Sequence, residues 1–507
     1  VTTATAAPAP TTVAPEVTVL HRTLSAESDP WLLDHCFYRQ PPGWPTVSDR
    51  YPVVPMTMTI GMMIDAARGL APGRVAIAIE DVRAYRWMAV APAVTIELRC
   101  RPTGPDTVDV DIPGYARATV RLGDAYPPAP APTLPPLTAP REPPISAASM
   151  YRDRWMFHGP AYQGVVALGP MGDDGVDGAI DVLPAPGALL DCAGQLMGWW
   201  VMDHEPADRL AMPVRIERIR FHGPEPVAGR IACAVRFRSI AERDVIADLE
   251  LCDGDRVWAR IDAWQDRRFD SDDPVWAVLM YPERNALGVV RDGGVVEATE
   301  HWRAAASRDL IMRRYLGEAE RAAFDEVAPR GRRAWLLGRI ALKDAVRHHL
   351  WARGAVDVFP VEIAVANLAS GRPVVTGPGC DGLRVSVAHK DELAVALVAA
   401  DGRTPGVDVE RIAPRPDTFV RVAFTARELA LGGDRPRDEW MTRLWCAKEA
   451  VGKARDTGLG DPRRVEVREV DGDRLIVDGA VVETRRDGDL IVAWTHQEPP
   501  EPEDQAR

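Results

Sequence analysis

A run dense in proline and alanine, Tyr126 to Pro144, divides the first half of this chain. Proline fixes φ and donates no backbone hydrogen bond, so such a run sustains neither a helix nor a central strand. Stretches of similar style lie on either side. Before the run, Val53 to Ala67 has the pattern of an apolar helix, carrying Met58, Met62, Met63 and Ala66, and strand-like runs follow at Val94 to Cys100 and Ala116 to Leu122. After it, Leu189 to Met202 predicts a second apolar helix, followed by strand-like runs at Ile231 to Phe237 and Val257 to Trp264. One helix plus an antiparallel sheet thus occurs twice, as a weak internal repeat. An acidic joint, Asp266 to Pro274, closes this half. Beyond it the pattern changes to a strong helix over Arg333 to Trp351 and strands at Val361 to Val365, Leu383 to Val387 and Leu393 to Val398.

With 507 residues the chain is too long for one ordinary core. Its formal charge of −13 argues against nucleic acid as a partner of the whole chain. Seven cysteines without a CxxC pair read as reduced thiols of a cytoplasmic protein. No run is long and apolar enough for a membrane span. Residues 1–16 lack the pattern of a signal peptide and read as a flexible lead-in, and residues 498–507, charged and proline-rich, as a disordered tail.

Three motifs in the last third carry chemistry. In GVDVE, Gly406 to Glu410, a strand would point Asp408 and Glu410 to one side, which suits a hard cation. In LWCAKEAVGKA, Leu444 to Ala454, a helix would place Glu449 and Lys453 one turn apart on one face, a carboxylate for the cation and a lysine for a phosphate. VSVAHK, Val385 to Lys390, is a strand ending in His389 and Lys390. Singly, each also reads as a solvated edge, a surface ion pair or a structural histidine. The glycines Gly377, Gly379 and Gly382 spell GxGxxG, but Pro378 lies inside and no helix begins there, so they read as a turn.

In this order, with GRP at Gly371 to Pro373 and FTARE at Phe424 to Glu428, the motifs resemble the surfactin-type phosphopantetheinyl transferases over Trp302 to Trp494. The resemblance implies a magnesium ion held by Asp408, Glu410 and Glu449 on the pyrophosphate of coenzyme A. It implies Lys453 at the phosphate, assisting departure of the nucleotide, and Glu428 or Glu449 as the base for a serine of an acyl carrier protein. Arg372, His389 and Lys448 would bind coenzyme A. Arg339, Lys343 and Arg347 form a basic stripe on the long helix, and Arg339 is the 3′-phosphate contact the resemblance favours. Ala388 stands where the family often has a small hydroxyl residue.

The first half offers DPWLLDHCF, Asp29 to Phe37, then HGPAYQG, His158 to Gly164, and LLDCAGQ, Leu189 to Gln195. An acid at the head of an apolar helix is costly to bury without a partner or a task. The arrangement resembles the double hot-dog dehydratases of polyketide and polyunsaturated fatty acid synthases over Val17 to Asp266. An insert, Gln40 to Tyr51, lengthens the usual spacing after the histidine. The resemblance implies that His35 removes the α-proton of a β-hydroxyacyl thioester, that Asp191 protonates the departing hydroxyl, and that Gln195 holds Asp191 or that hydroxyl. The domain order resembles the end of an iterative type I polyketide synthase, especially of the enediyne kind.

The expected fold class is α+β: a double hot-dog dehydratase-like domain over 17–266, with lobes at about 17–125 and 145–266 joined by the Pro-rich linker. A pseudo-twofold α+β phosphopantetheinyl transferase domain follows over 275–497. Magnesium, coenzyme A, an acyl carrier protein and a β-hydroxyacyl thioester are the implied cofactor and partners, with a homodimer allowed through the first half, and neither nucleic acid nor membrane. Two readings stay open: a bifunctional enzyme, or an active transferase with the hot-dog half as a docking or dimerisation scaffold.

Overall fold

A computed structural model describes residues 16–456 and 458–498. Apart from Glu16 and Glu498, the expected lead-in and tail lie outside the described residues. The described residues form two compact units, the first of those up to Arg39 with Arg50–Phe269, the second of Gln40–Asp49 with those from Asp270 onward.

In the first unit eleven strands make one antiparallel sheet. Its first lobe runs in spatial order Thr18–Leu24, Val94–Gly104, Thr107–Ile112, Ala116–Gly123, Val75–Ala84. The second continues it with Leu210–Phe221, Arg256–Phe269, Asp244–Asp253, Arg230–Ile240, Gly175–Asp181 and Val165–Gly172. The lobes join where Ile79 pairs with Ile219. The helix Met56–Gly69 buries Met58, Ile60, Met62 and Met63 against the first lobe. The helix Ala188–His204 is buried on almost every side, with Leu189, Leu196, Trp199 and Trp200 inside, as expected of a helix apolar all round. Each lobe is thus a sheet wrapped on one helix, and the pair is a double hot-dog fold.

The expected joint at Asp266 lies inside a strand: Asp266 pairs with Pro213 and Phe269 with Leu210, so the ladder runs past Trp264. The Pro-rich run is held against the second lobe. Glu250, buried in the sheet, accepts from the Thr133 N–H at 2.9 Å and the Thr133 hydroxyl at 2.7 Å, and Arg236 donates to the Pro135 carbonyl at 2.8 Å. A chain that cannot pair with itself is tied by side chains of its neighbour.

The second unit has two helix-on-sheet halves. In the first, the helix Arg332–Ala352 packs on a four-stranded sheet that includes Val296–Thr299, Leu393–Ala399 and Arg384–Lys390. In the second, the helix Arg437–Arg455 packs on a five-stranded sheet beginning with Thr404–Arg411 and Leu490–Gln497. Val295, Val395, Leu397, Val407, Val409 and Trp494 form one core across the seam. The strand expected at Val361 starts later, as Ala364–Asn367, because Pro360 opens a short 3-10 turn first. Gly377, Gly379 and Gly382 all take positive φ in a turn, not a phosphate loop. Of the insert, Gln40–Asp49 groups with this unit: Asp49 is buried and accepts from Trp44 Nε1 at 2.8 Å and Arg321 Nη1 at 2.7 Å.

Gly187, at φ +75°, sits before the second-lobe helix, and a Cβ there would meet the Met58 backbone nitrogen at 2.4 Å. Gly187→Ala should therefore cost about 2 kcal/mol or more, read as an earlier urea midpoint for the first unit.

Candidate active sites

The first site is assembled from both lobes of the first unit. His35 follows the 3-10 turn Pro30–Asp34 and is held by its own backbone: its N–H donates to the Leu32 carbonyl and its carbonyl accepts from Val53 N–H, each at 3.1 Å. Cys36 and Pro52 form an antiparallel bridge, so the lengthened spacing after the histidine closes on itself and returns Val53 to His35. His35 Nδ1 lies 2.8 Å from the Val53 carbonyl, which can only accept. The proton is therefore on Nδ1, and Nε2 presents its lone pair. Burial lowers the pKa of His35 to about 4; nearby His158 lowers it too, while Asp191 and the Val53 carbonyl partly oppose the shift.

Asp191 lies in the first turn of the second-lobe helix, where the helix dipole favours an anion. Its Oδ1 is 3.8 Å from His35 Nε2. Burial pushes its pKa up, but His158, His35 and the Gln195 amide outweigh burial and leave it below the usual value. Gln195 cannot turn freely. Its Nε2 donates to Asp191 Oδ2 at 2.9 Å and to the Tyr162 carbonyl at 2.8 Å, while its Oε1 accepts from the Tyr151 hydroxyl at 2.8 Å. The geometry gives Gln195 to Asp191.

Sequence reasoning missed His158. Its Nε2 lies 3.2 Å from Asp191 Oδ2, and it is 8% exposed. Asp34 brings it there, accepting from Gly159 N–H at its carbonyl (2.7 Å) and from Ala161 N–H at its carboxylate (2.9 Å). A Cβ on Gly159 would meet Asp34 Oδ1 at 2.4 Å, so only glycine allows this approach. The signal was present in HGPAYQG, a histidine just ahead of a Gly-Pro turn.

The second site lies at the seam of the second unit. Lys453 Nζ donates to Asp408 Oδ1 at 2.8 Å and to the Val407 carbonyl at 3.1 Å. The other oxygen of Asp408 is buried without a hydrogen-bond partner. Glu410 pairs with Lys390 at 2.7 Å. Burial raises the pKa of Glu449, and Asp408 and Glu410 raise it further, so the three carboxylates share one field. Their oxygens do not close around one point; among the described residues only His35, His158 and Asp191 place three ligand atoms within 4.8 Å of one another. Asp408 is drawn to Lys453 and Glu410 to Lys390 instead. His389 is exposed, Arg372 pairs with Asp456 at 3.0 Å, and Arg339 stacks on Trp335 and donates to Asn367.

Four expectations for this half need correction. Glu428 and Lys448 are not at the seam: both are fully buried, paired at 2.7 Å, with Glu428 also accepting from Thr425 and Val467 N–H groups. This pair ties the short helix Ala426–Ala430 to the long one, and neither member is open to a ligand. Lys343 and Arg347 are equally buried, on Glu320 and Asp344, so the basic stripe reduces to Arg339.

Residues 404–499 match the 4'-phosphopantetheinyl transferase superfamily and residues 127–274 the polyketide synthase dehydratase N-terminal domain. A holo-[acyl-carrier-protein] synthase of Exiguobacterium sibiricum is 33% identical over 97 residues, 19% of this chain and 76% of that protein. One of the polyunsaturated fatty acid synthase polypeptides of Thraustochytrium sp. is 26% identical over 239 residues, 42% of this chain and 8% of that protein. The chain therefore spans a small part of that polypeptide's length. Among solved structures, a dehydratase domain of a mycocerosic acid synthase-like polyketide synthase aligns at TM-score 0.40 and 21% identity, over 50% of this chain and 92% of that one. The chain belongs to the 4'-phosphopantetheinyl transferase superfamily through its C-terminal region. It carries a polyketide synthase dehydratase domain ahead of that region. The matches name neither the surfactin type nor the enediyne type.

Glu428→Gln should lower stability by about 3 kcal/mol in urea unfolding, because it strands Lys448 as an unpaired buried charge. Coenzyme A affinity, measured by calorimetry on the folded protein, should stay unchanged.

Proposed function

We propose that this chain is a bifunctional enzyme of polyketide-type synthesis: it loads 4'-phosphopantetheine from coenzyme A onto a serine of an acyl carrier protein, and it dehydrates β-hydroxyacyl groups carried on that arm. The observation that carries the proposal is that each unit gathers one unlike set of polar groups: His35 with Asp191 at 3.8 Å in the first, and Lys453 on Asp408 in the field of Glu410 and Glu449 at the seam of the second.

In the transferase, Asp408, Glu410 and Glu449 would hold a magnesium ion. The donor set fits: hard oxygens, carboxyl pKa values raised by burial at Asp408 and Glu449, and a buried, unpartnered Asp408 oxygen are what a divalent cation satisfies. When bound, the ion neutralises charge on the pyrophosphate of coenzyme A. Lys453 turns from Asp408 to the departing phosphate, where a point charge gains most as the transition state forms. Glu449, with its raised pKa, takes the proton of the attacking serine hydroxyl. Arg339, Arg372 and His389 offer the nucleotide end of coenzyme A its charged contacts.

In the dehydratase, His35 Nε2 takes the α-proton and Asp191 delivers a proton to the β-hydroxyl, which leaves as water. Gln195 keeps Asp191 aimed.

Asp408→Ala, or excess chelator with the wild type, should abolish carrier-protein labelling while leaving the far-ultraviolet circular dichroism unchanged; intact-mass measurement reads the label. For the dehydratase, His35→Ala combined with Asp191→Asn should cost little more than the worse single change when water loss from β-hydroxyacyl carrier proteins of several acyl lengths is followed by mass. Because the base must be neutral, and His35 protonates only near its lowered pKa, kcat/KM for dehydration should hold down to about pH 5 and fall as the pH approaches about 4. A fall centred near the ordinary histidine value would count against His35 as the base.

A further inference from the structure

We propose that the proton given to the departing hydroxyl is held by a His158–Asp191 pair, with His158 as the positioning residue that keeps Asp191 supplied with it. The inference rests on the dehydratase reading of His35 and Asp191 and adds a third residue to it.

Asp191 alone is poorly suited to donate at neutral pH. An isolated carboxyl has already lost its proton there, and Gln195 spends an N–H on its Oδ2, which favours the ionised form. The missing proton has one well-placed store. His158 Nε2 is 3.2 Å from Oδ2, and His35 Nε2 is 3.8 Å from Oδ1, so one carboxylate lies between two imidazoles. His158 has no task as a core hydrogen-bonding group: its Nδ1 is buried without a partner. Its position is nevertheless closely built, by the Gly159 and Ala161 bonds to Asp34, the Gln163 amide on its carbonyl at 2.7 Å and the stacked ring of Phe157 at 4.0 Å. A buried imidazole placed so carefully against an acid, with nothing else to bind, is explained by the acid.

The proton count closes. At the start His35 is neutral, and one proton is shared by His158 Nε2 and Asp191. His35 Nε2 takes the α-proton; the C–H electron pair becomes the second bond between Cα and Cβ, and the Cβ–O bond breaks with its pair on oxygen. That oxygen takes the shared proton through Asp191 and departs as water. His35 then returns its proton to Asp191 Oδ1, and the pair is restored without exchange with solvent. The titratable groups that face this assembly are His35 and Asp34 from the first lobe, Asp191 and Cys192 on the second-lobe helix, and Tyr151 and Tyr162 beside them, with Asp29 near Tyr162. Both tyrosines are raised by burial, which leaves the His158–Asp191 pair as the acid set closest to the His35 base.

The test is the pH dependence of dehydration by the full chain, for wild type and His158→Gln, with a β-hydroxyacyl carrier protein as substrate. The alkaline limb of kcat/KM reports loss of the acid's proton. In His158→Gln that limb should move to lower pH by about one unit or more, with a roughly 10- to 100-fold loss at neutral pH that shrinks as the pH falls. His158→Gly provides a second arm, in which added imidazole should restore the limb. A uniform loss with the limb unmoved and no rescue by imidazole would make His158 structural and overturn the inference. Absence of dehydration by the wild type, with carrier labelling intact, would overturn the dehydratase reading itself and this inference with it.

Discussion

The pairing of two strands, Val75–Ala84 with Leu210–Phe221, makes the first unit a single object. Each lobe alone would leave an edge of unpaired backbone groups; joined, they share one continuous ladder. That joint also brings the helix of one lobe against the helix of the other. Gly187 at the start of the second helix touches the Met58 backbone of the first, and Asp34 of the first lobe binds the Gly159–Ala161 backbone of the second. His35, Asp191 and His158 come from three distant stretches of sequence, and they meet because these approaches leave no room for a side chain at either glycine.

The second unit uses charge in two ways. Some ion pairs are taken into the core: Lys343 with Glu320, Arg347 with Asp344 and Lys448 with Glu428. These hold helices and turns together, and removing one partner leaves the other stranded. A second set stays in reach of solvent or at the seam, with Lys453, Glu410 and Glu449 part-buried and His389 exposed. Only this second set can exchange its partners for a ligand. The two proposed chemistries differ accordingly. Elimination moves single protons among a few buried groups, and phosphoryl-type transfer works among many charges that compensate one another. They are linked by one group, since the arm that the transferase would install is the carrier on which the dehydratase substrate would ride.

Much was legible in the sequence because period and punctuation are local. The apolar helices over Met56–Gly69 and Ala188–His204 followed from their composition, and Asp191 with Gln195 from the helical repeat of one turn. Asp408 and Glu410 followed from the alternation of a strand. The family motifs added which acids and lysines to compare. What the motifs could not tell was depth. Glu428, Glu449, Lys448 and Lys453 lie on neighbouring helices, yet two are sealed in a buried pair and two face the seam. Helical spacing gives a face, and whether that face meets core or solvent depends on what packs there.

By itself, then, the sequence determined the class of fold, the repeat of helix and sheet, the transferase family of the C-terminal region and two of the three members of the His–Asp–His cluster. Tertiary structure decided the rest. It set the strand through Asp266 to Phe269, because a partner strand was there to pair with it. It closed the long spacing after His35 through the Cys36–Pro52 bridge. It placed His158 on Asp191, since a contact between residues 33 positions apart depends on how the turn that carries His158 is folded back and anchored by Asp34 of the other lobe, which no local pattern of side chains encodes.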